Sequence, residues 1–471
     1  MRNLLLCLLT VLLTSCAAVG PDYVRPPTES PEKWHVDYDP VVDPADVPWW
    51  QRFGDPFLDE LIAAAVQGNL DLRIAAARVD QYLGLLETSR SRAFPQIEAG
   101  GSGRRDGTAG QSVERYQGAF NSSWELDFWG RIRRSSEAAR ARLEGSEAGR
   151  RAVVLTVVSS VASNYILLRG LDQQLETVRE TEKSYGESLD LARIRFNHGA
   201  ISRLELSQLE SQYESARQAV PRYESLIRQQ ENLLSLLLGR LPASISRGKA
   251  LDQLTDPGIP AGLPSLLLTR RPDIIQAEQE LVAANAGIGV ARAEYFPRIA
   301  LTGALGTASR DIGSLLRSGT GFWSVAAGAA AAPIVNFGAI SGQVKQAEAL
   351  QQQALFHYQQ TVLASFKEVE DVLIRIVKGR EELEAQERQI LALEEYAFLA
   401  RLQFEAGGSS YLPVLDAERA LFSNKLARTQ LRSQLLGAHV AAYKAMGGGW
   451  MSEADQPGRE KEKIQSVGGD Q

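Results

Sequence analysis

Few residues of this 471-residue chain can do covalent or metal chemistry. There are two cysteines, Cys7 and Cys16, and four histidines, His35, His198, His357 and His439. The histidines are scattered, without the short spacings of metal ligation. The glycine-rich stretches "GSGRRDG" and "GGGW" lack the strand–loop–helix setting of a phosphate loop. "RRPD" before an apolar run reads as a helix start. No catalytic residue and no metal site is expected, so the chain reads as a non-enzyme whose cysteines need another explanation.

Met1 to Ser15 supplies it. One early charge, Arg2, precedes an apolar run from Leu4 to Leu13. That run has about ten residues, whereas about 20 are needed to span a bilayer. A charged start, a short apolar core and small residues describe a secretory signal. The signal ends in Leu13-Thr14-Ser15-Cys16, which resembles the bacterial lipobox. Cys16 would then become the first mature residue, carrying diacylglycerol and an N-acyl chain. Cys7 would leave with the signal, so no thiol remains for a disulfide, a metal or a nucleophile. Ala17 in place of Asp favours sorting to the outer membrane. The formal charge of −6 argues against a nucleic-acid partner. No later stretch reads as a membrane helix, so any crossing must use β-strands closed into a barrel.

The chain repeats itself. "SRAFPQIEAGGSG" resembles "AEYFPRIALTGALG", "DFWGRIRRSSEAARA" resembles "VNFGAISGQVKQAEA", and "LARIRFNHGAISRLELSQLE" resembles "LARLQFEAGGSSYLPVLDAE", in the same order in both halves. The expected division follows: 1–15 signal peptide; 16–60 lipid-anchored N-terminal segment; 61–240 first repeat, with a β-hairpin at about 95–128; 241–264 linker; 265–450 second repeat, with a β-hairpin at about 297–333; and 451–471 disordered tail.

Within each repeat a helix stops at a Phe-Pro pair, as proline requires; Asn69 or Asp71 could cap the first. In "RYQGAFNSSWELDFWG", Tyr116, Gly118, Phe120, Ser122, Trp124, Leu126 and Phe128 fall on one face and polar residues on the other. Such alternation marks a barrel strand between lipid and water. The strands of the second half are too bland to assign a facing. Arg131 to Phe196 contains no proline and steps through Val154, Val158, Val161, Tyr165 and Leu168. Leu206, Leu209, Tyr213, Ala216, Val220, Tyr223 and Ile227 continue beyond a glycine-containing turn. These seams predict long helices wound about neighbours. Pro221 should kink the second or mark a packing change.

Two hairpins cannot close a barrel, and open edges are forbidden in lipid. Three chains would supply about twelve strands and an aqueous lumen. Here the chain resembles the TolC-like outer-membrane efflux channels, specifically the lipoprotein, nodulation-type branch that serves resistance–nodulation–division pumps. The motifs are "SCAAVGPDYVRP", "PWWQRFGDPFLDELI", "NLDLRIAAARV", "WELDFWGRIRR", "LPSLLLTRRPDIIQAEQELVAANAGIGVARAEYFPRIALTG", "NFG" and "FEAGGSSYLPVLDAERALF". The resemblance implies a mixed α/β, mainly α fold. A homotrimer would form a 12-stranded outer-membrane β-barrel, four strands per chain, continued by a long periplasmic α-helical coiled-coil barrel.

It also implies a periplasmic adaptor (membrane fusion protein), an inner-membrane resistance–nodulation–division pump as energy source, and export of drugs, dyes or metabolites. His198, Gly199 and Ser202 in one turn, with Gly407, Gly408 and Ser410 in the other, match the adaptor-contact tips. Leu412, Asp416 and Arg419 match the periplasmic aperture. Their spacing of four and three puts them on one helix face. Two other readings stay open: a duct for secreted protein or peptide, and a lipid-anchored coiled-coil scaffold without a pore.

Overall fold

The computed structural model describes residues 18–38, 48–108, 111–259, 262, 264–329 and 334–448. Cys16, the whole expected signal (1–15) and the tail 451–471 lie outside them. The elements are α1 (Pro56–Gly68), α2 (Leu70–Ser91), β1 (Gln96–Thr108), β2 (Gln111–Leu126), α3 (Arg131–Asn197), α4 (Arg203–Leu237), α5 (Pro272–Ala293), β3 (Ile299–Ser309), β4 (Gly321–Ala329), α6 (Ala339–Glu405) and α7 (Leu412–Ala445). From α2 onward the second half replays the first. α2 and α5 have 22 residues each, α3 and α6 have 67 each, and α4 and α7 have 35 and 34.

Two compact units share the chain, and each draws segments from both halves. The first (1–29, 75–149, 273–361) contains the sheet. The second (30–74, 150–272, 362–471) contains most of the helical core.

The sheet has the order β1-β2-β3-β4, antiparallel throughout, so β1 and β4 are edges. Register resolves the facing that composition leaves open in the second half. Phe120 is opposite Leu305, and Leu305 opposite Trp323; Ile97 is opposite Ser122, Ser122 opposite Gly303, and Gly303 opposite Val325. Partners across a sheet share a face, so Ile97, Phe120, Leu305, Trp323 and Val325 make one apolar surface. All five are more than 60% exposed, which marks a surface meant for lipid or protein rather than water. Phe128 does not belong to it, because β2 ends at Leu126. Asp127 forces the turn: its carboxylate accepts from Ile132 N at 3.0 Å and Arg133 N at 2.9 Å, capping α3.

In the second unit, Val158, Val161, Tyr165 and Leu168 of α3 meet α1 and the ends of α4 and α7 in a core centred on Trp49 and Phe53. Trp49 is 1% exposed and stacks on Tyr443 at 5.3 Å. One sequence expectation needs correcting here. α3 does contain a stretch long and apolar enough, by length and composition, to cross a membrane, and half of it is buried inside the protein. The apolarity serves the core: Val157, Ala162 and Ile166 are buried alongside the predicted seam. α4 runs through Pro221 as one assigned helix with the residue exposed, and its seam keeps facing inward beyond it, at Tyr223 and Ile227. The 241–264 segment, expected as a linker, packs Ile245, Leu251, Leu254 and Ile259 into the interior. Asn69 rather than Asp71 caps α2, accepting from Asp71 N at 2.9 Å and Leu72 N at 3.2 Å.

Candidate functional site

Both helical turns of the second unit are built alike. At the end of α3, Gly199 takes φ +72, its N–H bonding Phe196 O and that of Ala200 bonding Arg195 O at 2.8 Å. At the end of α6, Gly407 takes φ +75, its N–H bonding Phe404 O and that of Gly408 bonding Gln403 O at 2.9 Å. This is the Schellman arrangement, in which the left-handed residue is normally glycine. The following helices start differently. Ser202 and Glu205 form a capping box, at 3.2 Å and 2.9 Å. α7 starts with Pro413 in its first turn and Tyr411 tucked underneath.

Leu189, Ala192, Leu206, Leu209, Ala400, Tyr411, Val414 and Leu415 fuse the two turns into one small core. Phe404 meets Tyr411 edge-on at 5.1 Å, and the Arg195 guanidinium lies 5.7 Å from the Phe404 ring. A cavity of about 220 Å³ remains, lined by Leu191, Arg195, Ile201, Arg401, Phe404 and Tyr411 among others. His198, Gly199, Ser202, Gly407, Gly408 and Ser410 are all exposed on the turns.

Leu412, Asp416 and Arg419 are exposed too, while Val414, Leu415, Ala417 and Glu418 between them are buried. The three therefore share the free face of α7. Among the described residues neither Asp416 nor Arg419 makes an ion pair within 4.0 Å, so the two do not pair with each other. The buried face carries a group that sequence reasoning did not single out. Glu418, 9% exposed, pairs with Arg401 and accepts from Gln212 Nε2 at 3.1 Å. Burial, joined by the neighbouring Glu418 carboxylate, pushes the Tyr411 hydroxyl well above the ordinary tyrosine range. The signal was present: Glu418 lies four and three residues beyond Val414 and Leu415, on their face of the helix.

In the first unit, the segment that follows Cys16 is strapped down. Val19 N donates to Trp129 O at 3.0 Å, and Asn285 Nδ2 donates to Pro21 O at 2.9 Å. Arg134, nearly buried, reaches Asp22 at 2.6 Å and Gly20 O at 3.3 Å. Tyr23 and Arg25 both reach Glu278, at 3.1 and 2.8 Å. Two glycines permit the crossing. A Cβ on Gly20 (φ +104) would stand 2.4 Å from Gly289 Cα, and one on Gly289 would stand 2.6 Å from Val19 O and 2.8 Å from Arg134 Cγ. Gly289→Val should therefore release the strap without unfolding α5. Overpacking of this kind costs about 1–3 kcal/mol, so the open fraction rises roughly five- to 150-fold. Limited proteolysis of the 18–33 segment at unchanged helix content measures it; wild-type cleavage rates in the variant would refute the crossing as the constraint.

A family model described as outer membrane efflux protein matches residues 61–240 and 263–448. The chain is 34% identical over 448 residues to the cation efflux system protein CusC of Escherichia coli, covering 93% of this chain and 96% of that protein. It is 35% identical over 471 residues to the probable efflux pump outer membrane protein TtgC of Pseudomonas putida, covering 97% of each. The open state of the MtrE outer membrane channel of Neisseria gonorrhoeae superposes with a TM-score of 0.84 at 31% identity, covering 92% of this chain and 99% of that one.

Proposed function

We propose that this chain, which belongs to the outer membrane efflux protein family, is the lipid-anchored exit duct of a tripartite system that expels small molecules. The observation that carries the reading is the sheet. Its four strands present an apolar face and, among the described residues, leave both edges unpaired, and a barrel in lipid admits no free edge. Three copies close about twelve strands around a lumen. An inner-membrane pump of the resistance–nodulation–division class drives transport through a periplasmic adaptor. The chain supplies the passage and no catalysis.

The reading extends to particular residues. Cys16 carries the lipid, and the strap from Ala18 to Arg25 fixes the chain just after it. The exposed turns at His198, Gly199, Ser202, Gly407, Gly408 and Ser410 dock the adaptor. Leu412, Asp416 and Arg419, on the free face of α7, line the periplasmic aperture. The two repeats, 61–240 and 265–450, are the quasi-equivalent staves of the tube. The cargo is drugs, dyes or metabolites; the related CusC is named for cation efflux.

Purified protein is expected to run as a heat-labile trimer in detergent and to conduct ions in a planar bilayer. A monomer without conductance would leave only a pore-free scaffold. A photo-crosslinker at Ser202 or Ser410 in living cells should capture the adaptor of a proton-driven pump. Capture of an ATP-driven exporter's adaptor would transfer the reading to protein or peptide secretion.

A further inference from the structure

We propose that Phe337 of one protomer stacks on Phe94 of the partner subunit, closing the trimer where strands give way to helices. The proposal rests on the trimeric reading above and deepens it. It comes from the repeat. Asp127-Phe128-Trp129-Gly130 aligns with Val335-Asn336-Phe337-Gly338, and Phe94-Pro95 aligns with Phe296-Pro297. Gly130 and Gly338 both have left-handed φ, +77 and +90, and each stands just before a 67-residue helix. Trp129 and Phe337 are therefore equivalent, as are Phe296 and Phe94.

Within one chain the first pair is already joined. The Trp129 ring stacks on Phe296 at 4.5 Å and 21°, and Trp129 Nε1 donates to Pro297 O at 2.9 Å. This contact couples the β2–α3 junction to the α5–β3 junction, beneath the pairing of β2 with β3. The next junction in the row is β4–α6, and among the described residues no further strand of the same chain lies beside β4. In a closed ring β4 must meet β1 of the next copy. Phe337 then takes the place of Trp129, and Phe94 of the partner subunit takes the place of Phe296.

Two further observations point outside the chain. Phe337 is 99% exposed and Phe94 66%, whereas Trp129 and Phe296 are partly covered. Phe337 is also the only described non-glycine residue with positive φ, at +48. An aromatic residue keeps that conformation where its surroundings hold it, and so exposed a ring is not held by its own chain. The junction has changed chemistry to match. Where the first repeat has Asp127 capping α3, the second has Val335, and Ile334 and Val335 are 94% and 69% exposed. Asn336 still satisfies the turn, accepting from Gly338 N at 3.2 Å, but the position of the capping carboxylate has become an exposed apolar side chain that calls for a neighbour.

The test uses the full-length protein in outer membranes. With Cys7 removed and Cys16 acylated, no other thiol competes. The double variant Phe94→Cys/Phe337→Cys, treated with a short bis-maleimide, should give a denaturation-resistant ladder of linked dimer and trimer. Neither single variant should do so. Trp129→Cys/Phe296→Cys should link within one chain and leave its boiled mass at that of a monomer. Unlinked chains from a protein that still runs as a trimer would overturn the contact. A monomer before any crosslinker is added would overturn the trimeric reading itself.

A second measurement needs no cysteine. Phe94→Ala and Phe337→Ala should each lower the temperature at which the trimer dissociates, and the pair should lower it no further than one alone. Phe337→Trp, which restores the indole donor, should raise it. Additive effects of the two alanines, or a neutral Phe337→Trp, would overturn the proposal.

Discussion

Asp55→Ala is expected to destabilise the helical unit by about 3–5 kcal/mol, more than a change at any exposed residue of the turns. Asp55 is 1% exposed and serves three donors at once. Its carboxylate accepts from Phe57 N at 3.0 Å, capping α1, from the Tyr165 hydroxyl at 2.7 Å, and from Lys249 N at 3.0 Å. Tyr165 is itself fully buried and accepts from Gly248 N at 2.9 Å. Burial, reinforced by the bond to Asp55, pushes its hydroxyl well above the usual tyrosine range, so it stays protonated and needs an acceptor. Alanine strands all three donors, at about 1–3 kcal/mol for each buried group left unmade. Asp55→Asn separates this from a mere change of charge. One amide oxygen can still serve the side that Tyr165 and Lys249 approach, while its NH₂ opposes Phe57 N, so the loss should shrink to about 1–2 kcal/mol. The loss of helical ellipticity on heating measures both, with a fall on the order of 10 °C for alanine. Equal effects of the two variants would mean that the clamp acts through charge rather than through its bonds.

That clamp also shows where sequence reading stops. The long helices were legible because their seams recur within a turn or two of chain, and the tips because a glycine must stand where a helix turns left-handed. Repetition did the rest: "LARIRF" and "LARLQF" announce the same element twice. Asp55 meets Tyr165 and Lys249 across 110 and 194 residues, and no local pattern brings those positions together. The strap was half legible. The lipobox announced an anchored N-terminal segment, but the need for Gly20 and Gly289 appears only once the two backbones cross. The facing of β3 and β4 was hidden for another reason. Ala, Gly and Thr carry little hydrophobic contrast, and only register against Phe120 and Trp124 orients them. The segment 241–264 looked like a linker because prolines and glycines surround its few apolar residues, four of which, Ile245, Leu251, Leu254 and Ile259, it buries.

Asp416→Asn and Arg419→Gln should shift the ion preference of the channel in opposite directions. Both side chains stand on the free face of α7, with no ion pair among the described residues, and they are one helical turn apart. Around a threefold axis each becomes a ring of three like charges. A monovalent cation about 6 Å from one carboxylate gains roughly 0.7 kcal/mol in water, hence about 2 kcal/mol from three. Salt with a Debye length of about 8 Å reduces this to a several-fold effect on permeability. The arginine ring, one turn on, opposes it. Removing the aspartates leaves the positive ring and should move the reversal potential across a salt gradient toward anions, several-fold in permeability ratio. Removing the arginines should move it toward cations. The difference between the two variants should collapse as ionic strength rises, because screening weakens both rings alike. Shifts in the same direction would show that the substitutions widen the aperture rather than recharge it. No shift in either would place this face of α7 away from the ion path, and the aperture would then have to be sought elsewhere on the tip.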